Sequence, residues 1–359
     1  MLDRRLLLAL MACATALPFR SARALEMANF VAVNQKIAQQ HIATRHATFA
    51  ASCSGLSITL VAFTAGRAEL YAARQSFHAA MDAWQAVQHI RFGPSQIDAR
   101  QFRVQFWPDS RNRIGRQLGE ILISEREDLI SKPDALAQAS IAIQGLPALE
   151  RLLFEIDIAP GEYAGMLAAA IGDNLLRIAQ DLEAEWAPGS AWSQGLYEPG
   201  SSSVAYPAPS QASAALLLSL VTQLNVIASA KLREPMGQSA ERARPRLSES
   251  WRSERSIRNI AINLDALSDL FSGGDGHFAN LLIQSGNETL AADLQERLRG
   301  CAQIMQGMPA SLEVLATDLS LRIPALDVAD VIDISRQAVE QQVAPALGLT
   351  LGFNSLDGD

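Results

Sequence analysis

Apolar residues recur at three- and four-residue intervals along most of the chain, and the strict alternation of a half-buried strand is nearly absent. That period predicts an all-α protein. Helices are expected over about 28–51, 67–89, 112–127, 134–154 and 162–186, then over about 212–232, 246–271, 288–305, 312–319 and 328–347. Pro133, Pro160 and Gly161 stand at helix starts, where a missing backbone N–H costs little. From 187 to 209 the composition turns to Pro, Gly, Ser and aromatic residues, Glu198 is the single charge, and the helical period stops. The pattern therefore predicts two helical bundles of the up-down four-helix type packed side by side, one over 25–187 and one over 210–359, with a linker at 188–209. No strong repeat relates the two halves.

Two stretches break the rhythm without reading as simple turns. One runs from Arg91-Phe92-Gly93-Pro94 to Phe106-Trp107-Pro108-Asp109; the other is the tail from Gly352 to Asp359. Irregular segments on a helical scaffold are where sites tend to sit.

Composition and charge narrow the class. Hydrophobic residues make up 49% of the 359 and charged residues 19%, a globular balance with enough chain for two cores. The first 24 residues read as an export leader: Arg4 and Arg5, an apolar run from Leu6 to Leu17, and Ala22-Arg23-Ala24 before the expected cut. A Sec signal and a twin-arginine signal both fit Arg4-Arg5. Without residues 1–24 the chain keeps 26 basic and 37 acidic residues, net −11, which argues against nucleic acid as a partner. No later run of about 18 uninterrupted apolar residues occurs, so no transmembrane segment is expected and the mature protein is placed in the periplasm, in solution or loosely held at a membrane. Cys53 and Cys301 would then meet an oxidising compartment; two buried thiols are the simpler expectation, and a bridge requires their Cα atoms within about 7 Å.

Standard catalytic motifs are missing. His41 and His46 are five apart with no glutamate between them, which does not match the zincin spacing, and there is no Gly-x-Ser-x-Gly elbow, phosphate-binding loop or Cys-x-x-Cys pair. Gly273-Gly274-Asp275-Gly276-His277 follows a helix rather than a strand and reads as a turn. Asp357-Gly358-Asp359 begins like a calcium loop, but the sequence provides no further ligands after it. More informative are arginines placed beside aromatic residues and helix breakers: Arg91, Arg111 and Arg113, with Arg252 and Arg255 in Trp251-Arg252-Ser253-Glu254-Arg255. Guanidinium forks suit carboxylates and phosphates. Arg252 and Arg255, three apart, are expected on one helix face. An ion-pair network with Asp109, Glu150 and Glu254 is the structural alternative to a ligand site.

Gly145-Leu146-Pro147-Ala148-Leu149-Glu150 resembles the Gly-x-His-x-x-Glu signature of the imelysin-like family, with Pro147 where the histidine stands. Arg91-Phe92-Gly93-Pro94, Phe106-Trp107-Pro108-Asp109, Ser250-Trp251-Arg252-Ser253 and the ending from Gly352 to Asp359 are similar to the same family, so the resemblance spans the mature chain. It implies two helical bundles, a site in the cleft between them and a cell-envelope location. Its members include an insulin-cleaving metallopeptidase and iron-regulated envelope proteins, two functions on one fold. In the usual signature the His and Glu lie three apart on one helix face and can share a metal. Here Glu150 is the only metal ligand left in the run, because proline offers neither a ring nitrogen nor an N–H; an arginine such as Arg91, Arg113 or Arg252 becomes its expected partner.

The expected site therefore comprises Arg91, Trp107, Asp109, Arg111, Arg113, Gly145, Pro147, Glu150, Trp251, Arg252, Ser253 and Arg255. It is expected to take a small anion or a metal chelate, in a binding or accessory protein tied to iron or another divalent metal and to envelope uptake components. The rival reading is a metallopeptidase using His78, His89 or His277 as base, and a third is a purely structural envelope protein.

Overall fold

A computed structural model of the chain describes residues 27–132, 134–274 and 277–352. The leader, Pro133, part of the glycine-rich turn and the tail beyond Gly352 lie outside the described residues. Among the described residues the chain is helical throughout and contains no strand, as the apolar period requires. The longer helices are α1 (Met27–Lys36), α2 (Thr44–Thr64), α3 (Leu70–Gln85), α4 (Arg113–Ser124), α5 (Leu146–Phe154), α6 (Tyr163–Trp186), α7 (Pro209–Val226), α8 (Ser256–Ser272), α9 (Glu288–Gln306) and α10 (Leu319–Ala338). Three π-helical segments, Ile37–Ala43, Ile227–Arg233 and Val339–Val343, continue α1, α7 and α10 without a break.

The chain forms two compact units. Of the described residues, one comprises 44–185 with 252–254 and the other 27–43, 186–251 and 255–352. This division differs from a cut at 188–209. Asn34, fully buried on α1, donates to Leu196 O (2.9 Å) and Pro209 O (2.7 Å) and accepts from Ser213 Oγ (2.7 Å), which ties the expected linker and the start of α7 to α1. Buried side-chain amides need such partners, so residues 188–209 are built into a core rather than strung between two.

In the unit that carries Glu150, α2 buries Phe49, Cys53, Leu56, Leu60 and Phe63, a run of three- and four-residue steps. It packs against α3, whose Phe77, Met81 and Trp84 are buried; Phe49 near the start of α2 meets Trp84 near the end of α3 at 5.3 Å between ring centroids, so the pair is antiparallel. Each such side chain removed from water contributes about 1.5–3 kcal/mol. α6 approaches α2 closely at Gly172, where a Cβ would stand 2.6 Å from Leu60 Cδ1. α4 and α5 complete this unit with Ile114, Leu118 and Ile121, and with Leu146, Leu149, Leu152 and Leu153.

Three expectations about elements change. The helix expected over 134–154 begins as turns and a short 3-10 segment, Ile141–Ile143, and α5 starts only after Gly145, which is extended (φ −120°, ψ −171°). The helix expected from 246 begins at Ser256, because Ser250 (φ 53°) and Glu254 (φ 54°) adopt left-handed backbone. Arg252 and Arg255 therefore do not share a helix face; Arg252 sits in a turn and Arg255 caps α8. Two continuous helices, Asn29–Thr64 and Pro209–Met236, also reach membrane-spanning length and apolarity despite the lack of an uninterrupted apolar run. The protein itself buries 72% of the second window but 39% of the first, so the second is a core helix.

Candidate functional site

Gly145 is fixed by contact. A Cβ there would lie 2.3 Å from Val104 O and 2.4 Å from Arg103 O, so the backbones touch at a distance only glycine permits. The preceding residue, Gln144, is locked: its amide donates to Ala139 O (2.6 Å), its Oε1 accepts from Arg103 Nε (2.7 Å), and its carbonyl accepts from buried Asn174 (3.2 Å). Pro147 then occupies the first turn of α5, where its missing N–H breaks no helical bond. The effect is to aim Glu150, 4% exposed, at one place.

That place is the turn 252–254. Glu150 Oε1 accepts from the backbone N of Ser253 (3.0 Å) and from Ser253 Oγ (2.6 Å). Next to it, Glu155 Oε2 accepts from both Arg252 Nε and Arg151 Nε at 2.6 Å, and Glu155 Oε1 from Arg151 Nη2 at 3.3 Å. Arg151 Nη1 goes on to Asn112 Oδ1 (2.7 Å), and Gly115 leaves room for it, since a Cβ there would lie 2.0 Å from that nitrogen. Burial pushes the Glu155 carboxyl up, but the hydrogen bonds and charges of Arg151 and Arg252 more than offset it and hold it below the ordinary glutamate value.

Asn112 belongs to the turn before α4, and that turn is held by Asp109, whose Oδ1 and Oδ2 accept from Arg113 N (2.7 Å) and Ile114 N (2.9 Å). Asp109 is thus a helix cap that satisfies two of the four orphan N–H groups. Arg111 and Arg113 are exposed on the same turn, Arg113 stacked over the Phe106 ring at 5.7 Å. The structure therefore brings Glu150, Arg252, Ser253 and the 109–113 turn together around α5. Sequence reasoning missed Arg151, Glu155 and Asn112; the four-residue spacing of Arg151 and Glu155 was the available signal. Trp107 is half-buried just before Asp109, and Arg91 is half-buried after α3. Trp251 and Arg255 group with the other unit: Trp251 carries Arg246 over its ring at 5.4 Å, and Arg255, 1% exposed, donates to Asn259 Oδ1 (2.8 Å).

A resident transition metal does not fit the Glu150 run. Pro147 has no side-chain donor atom, Glu150 Oε1 already receives two hydrogen bonds, and among the described residues no group of three or more His, Cys, Asp or Glu is arranged to hold an ion. Of the histidines considered as a base, His78 packs on Phe77 and Phe154, His89 is buried, and His277 Nδ1 lies 2.6 Å from Asp269 O in the other unit.

The model of the imelysin (peptidase M75) family matches residues 42–344. The chain belongs to the imelysin family. An iron-regulated protein A of Synechococcus elongatus is 25% identical over 289 residues, covering 77% of this chain and 75% of that protein. Among solved structures, an imelysin-like protein from Psychrobacter arcticum superposes with a TM-score of 0.77 at 18% identity, over 93% of this chain and all of the other. A Parabacteroides distasonis chain described as an iron-regulated protein A precursor gives 0.74 at 16% identity, over 89% of this chain and 98% of its own. These structural likenesses bear on the fold, which is the all-α imelysin-like fold.

Proposed function

We propose that this imelysin-family protein is an exported accessory protein of iron acquisition that binds a small carboxylate-bearing anion, such as an iron chelate, at the α5 site. Two guanidinium groups, Arg151 and Arg252, converge on the single carboxylate of Glu155, and that observation carries the reading. Exposed Arg111 and Arg113 lie on the adjoining turn, while the carboxylates of Glu150 and Asp109 are taken up by hydrogen bonds to Ser253 and to the start of α4, which leaves the guanidinium groups as the outward-facing donors on a chain that is otherwise acidic. A ligand carboxylate would take the place of Glu155 on one or both forks, while the buried Glu150–Ser253 pair keeps the 252–254 turn in position. Iron enters as cargo, carried by the chelate. The link to iron is supported by the relatives described as iron-regulated, and export by the basic-apolar start of the sequence.

Calorimetry with citrate and ferric citrate tests the reading. Heat of binding is expected for the unaltered protein, and Arg252→Ala should weaken binding by at least about tenfold, the loss of one charge-assisted fork. Glu155→Gln removes the internal competitor and should tighten it. No heat with any carboxylate, or weaker binding in Glu155→Gln, removes the ligand from the proposal.

A further inference from the structure

The carboxylate of Glu155 shows how the α5 site grips an anion. Arg151 takes it side-on, Nε to Oε2 (2.6 Å) and Nη2 to Oε1 (3.3 Å), and Arg252 adds its own Nε to Oε2 (2.6 Å). Both oxygens are engaged, by three N–H groups from two planar guanidinium groups. The arginine side chains are largely shielded, 16% and 17% exposed, whereas Glu155 is 38% exposed. The carboxylate is thus the member on the solvent side, the one a ligand can replace.

Arg151 has a second anchor that does not involve Glu155. Its Nη1 donates to Oδ1 of Asn112, 39 positions away on the turn before α4. Asn112 is left-handed (φ 48°, ψ 43°), a conformation asparagine tolerates better than most residues, and its backbone N donates to Asp109 O (3.1 Å). Gly115, in the first turn of α4, opens the space. A Cβ there would stand 2.0 Å from Arg151 Nη1, 2.8 Å from its Cζ and 2.5 Å from Asn112 Oδ1. Glycine is among the poorest helix formers, yet α4 has a second one, Gly119, with nothing within 4 Å of its Cβ position. Only Gly115 is tied to an arginine.

On the reading of α5 as an anion site, we infer that Asn112 and Gly115 are its positioning residues. They hold Arg151 as a preset fork, and the site takes its ligand through one carboxylate whose two oxygens are both free of metal. A chelate that commits every carboxylate to iron offers no such group; one with a pendant carboxylate does. Once Glu155 leaves the fork, the Asn112 contact keeps Nε and Nη2 pointing the same way, so a long side chain is already ordered when the ligand arrives. Neither positioning residue touches the ligand; both act through Arg151.

Propionate, which is the end of a glutamate side chain, is the probe. In full-length Glu155→Ala, propionate should bind saturably by calorimetry and propionamide should not. On that background Asn112→Gly, which keeps the left-handed backbone, and Gly115→Ala, which pushes the guanidinium out of its slot, should each weaken propionate at least about tenfold. Gly119→Ala should leave the affinity unchanged. The clash at Gly115 is with the far end of a flexible side chain, so the urea midpoints of Asn112→Gly and Gly115→Ala should stay close to that of their parent while affinity falls. Undiminished propionate binding in those two variants, an equal loss in Gly119→Ala, or equal binding of propionamide overturns the preset fork. Citrate binding to the wild type that neither substitution weakens also overturns it, and leaves the anion site standing. Propionate bound by Glu155→Ala with no citrate bound by the wild type supports the fork and removes the displacement of Glu155. No propionate binding in Glu155→Ala overturns both.

Discussion

A methyl group added at Gly145 would collide with two carbonyl oxygens of the 103–104 backbone, while one added at Gly55 would meet empty space. The two substitutions should therefore move stability in opposite directions. Gly145→Ala should cost about 2–4 kcal/mol by overpacking, and Gly55→Ala should gain up to about 1 kcal/mol, both read from urea denaturation midpoints. The acidic side chain of the site makes a further prediction. Because Glu155 is more acidic in the folded protein than in the unfolded chain, its contribution to stability is complete above the unfolded glutamate range and is lost as pH falls through its folded value. With Glu155 38% exposed, solvent limits that contribution to about 0.5–1 kcal/mol, so the stability gap between the wild type and Glu155→Gln should be present at neutral pH and close in acid. Cys53 and Cys301 are buried free thiols, both shifted upward by burial, Cys301 to about 12; neither should react with a thiol reagent until the protein unfolds. At this scale the sequence already pointed to Gly145, Glu150, Arg252 and Ser253. Arg151 and Glu155 escaped because an arginine and a glutamate four apart on a helix look like a surface pair, and only the turn of Arg252 toward them makes them a site.

The same limit appears in whole elements. Helix existence was legible because core residues recur at the helical period, and α6 and α9 begin within one residue of expectation. Breaks were not. The left-handed backbone at Ser250 and Glu254 carries no glycine to announce it, so the segment before α8 reads as helix although it is a turn. That turn is stabilised by a buried polar network: Lys231 Nζ donates to Glu249 Oε2 (2.9 Å) and Asn263 Oδ1 (2.6 Å), and Asn259 Nδ2 to the same Glu249 oxygen (2.8 Å) and to Ser250 Oγ (3.1 Å). Lys231 and Glu249 are 1% and 3% exposed, so Lys231→Met, which takes the ammonium away from the buried carboxylate, should cost about 3 kcal/mol in thermal or urea unfolding.

For the whole molecule, the all-α class followed from periodicity, but the partition did not, because a polar tether such as Asn34 leaves no periodic trace. Residues 27–43 group with 186–251 and 255–352 rather than with the helix they run into. A cut inside 188–209 should therefore not yield two folding halves: a fragment of residues 210–359 made alone lacks α1, leaves Ser213 without its Asn34 partner, and should be largely unfolded by circular dichroism. The α1 strip is synthesised before the other pieces of its core, residues 186–251 and 255–352, so the nascent chain keeps an apolar segment waiting while 44–185 is made, and a chain halted in between offers that segment to any holding chaperone.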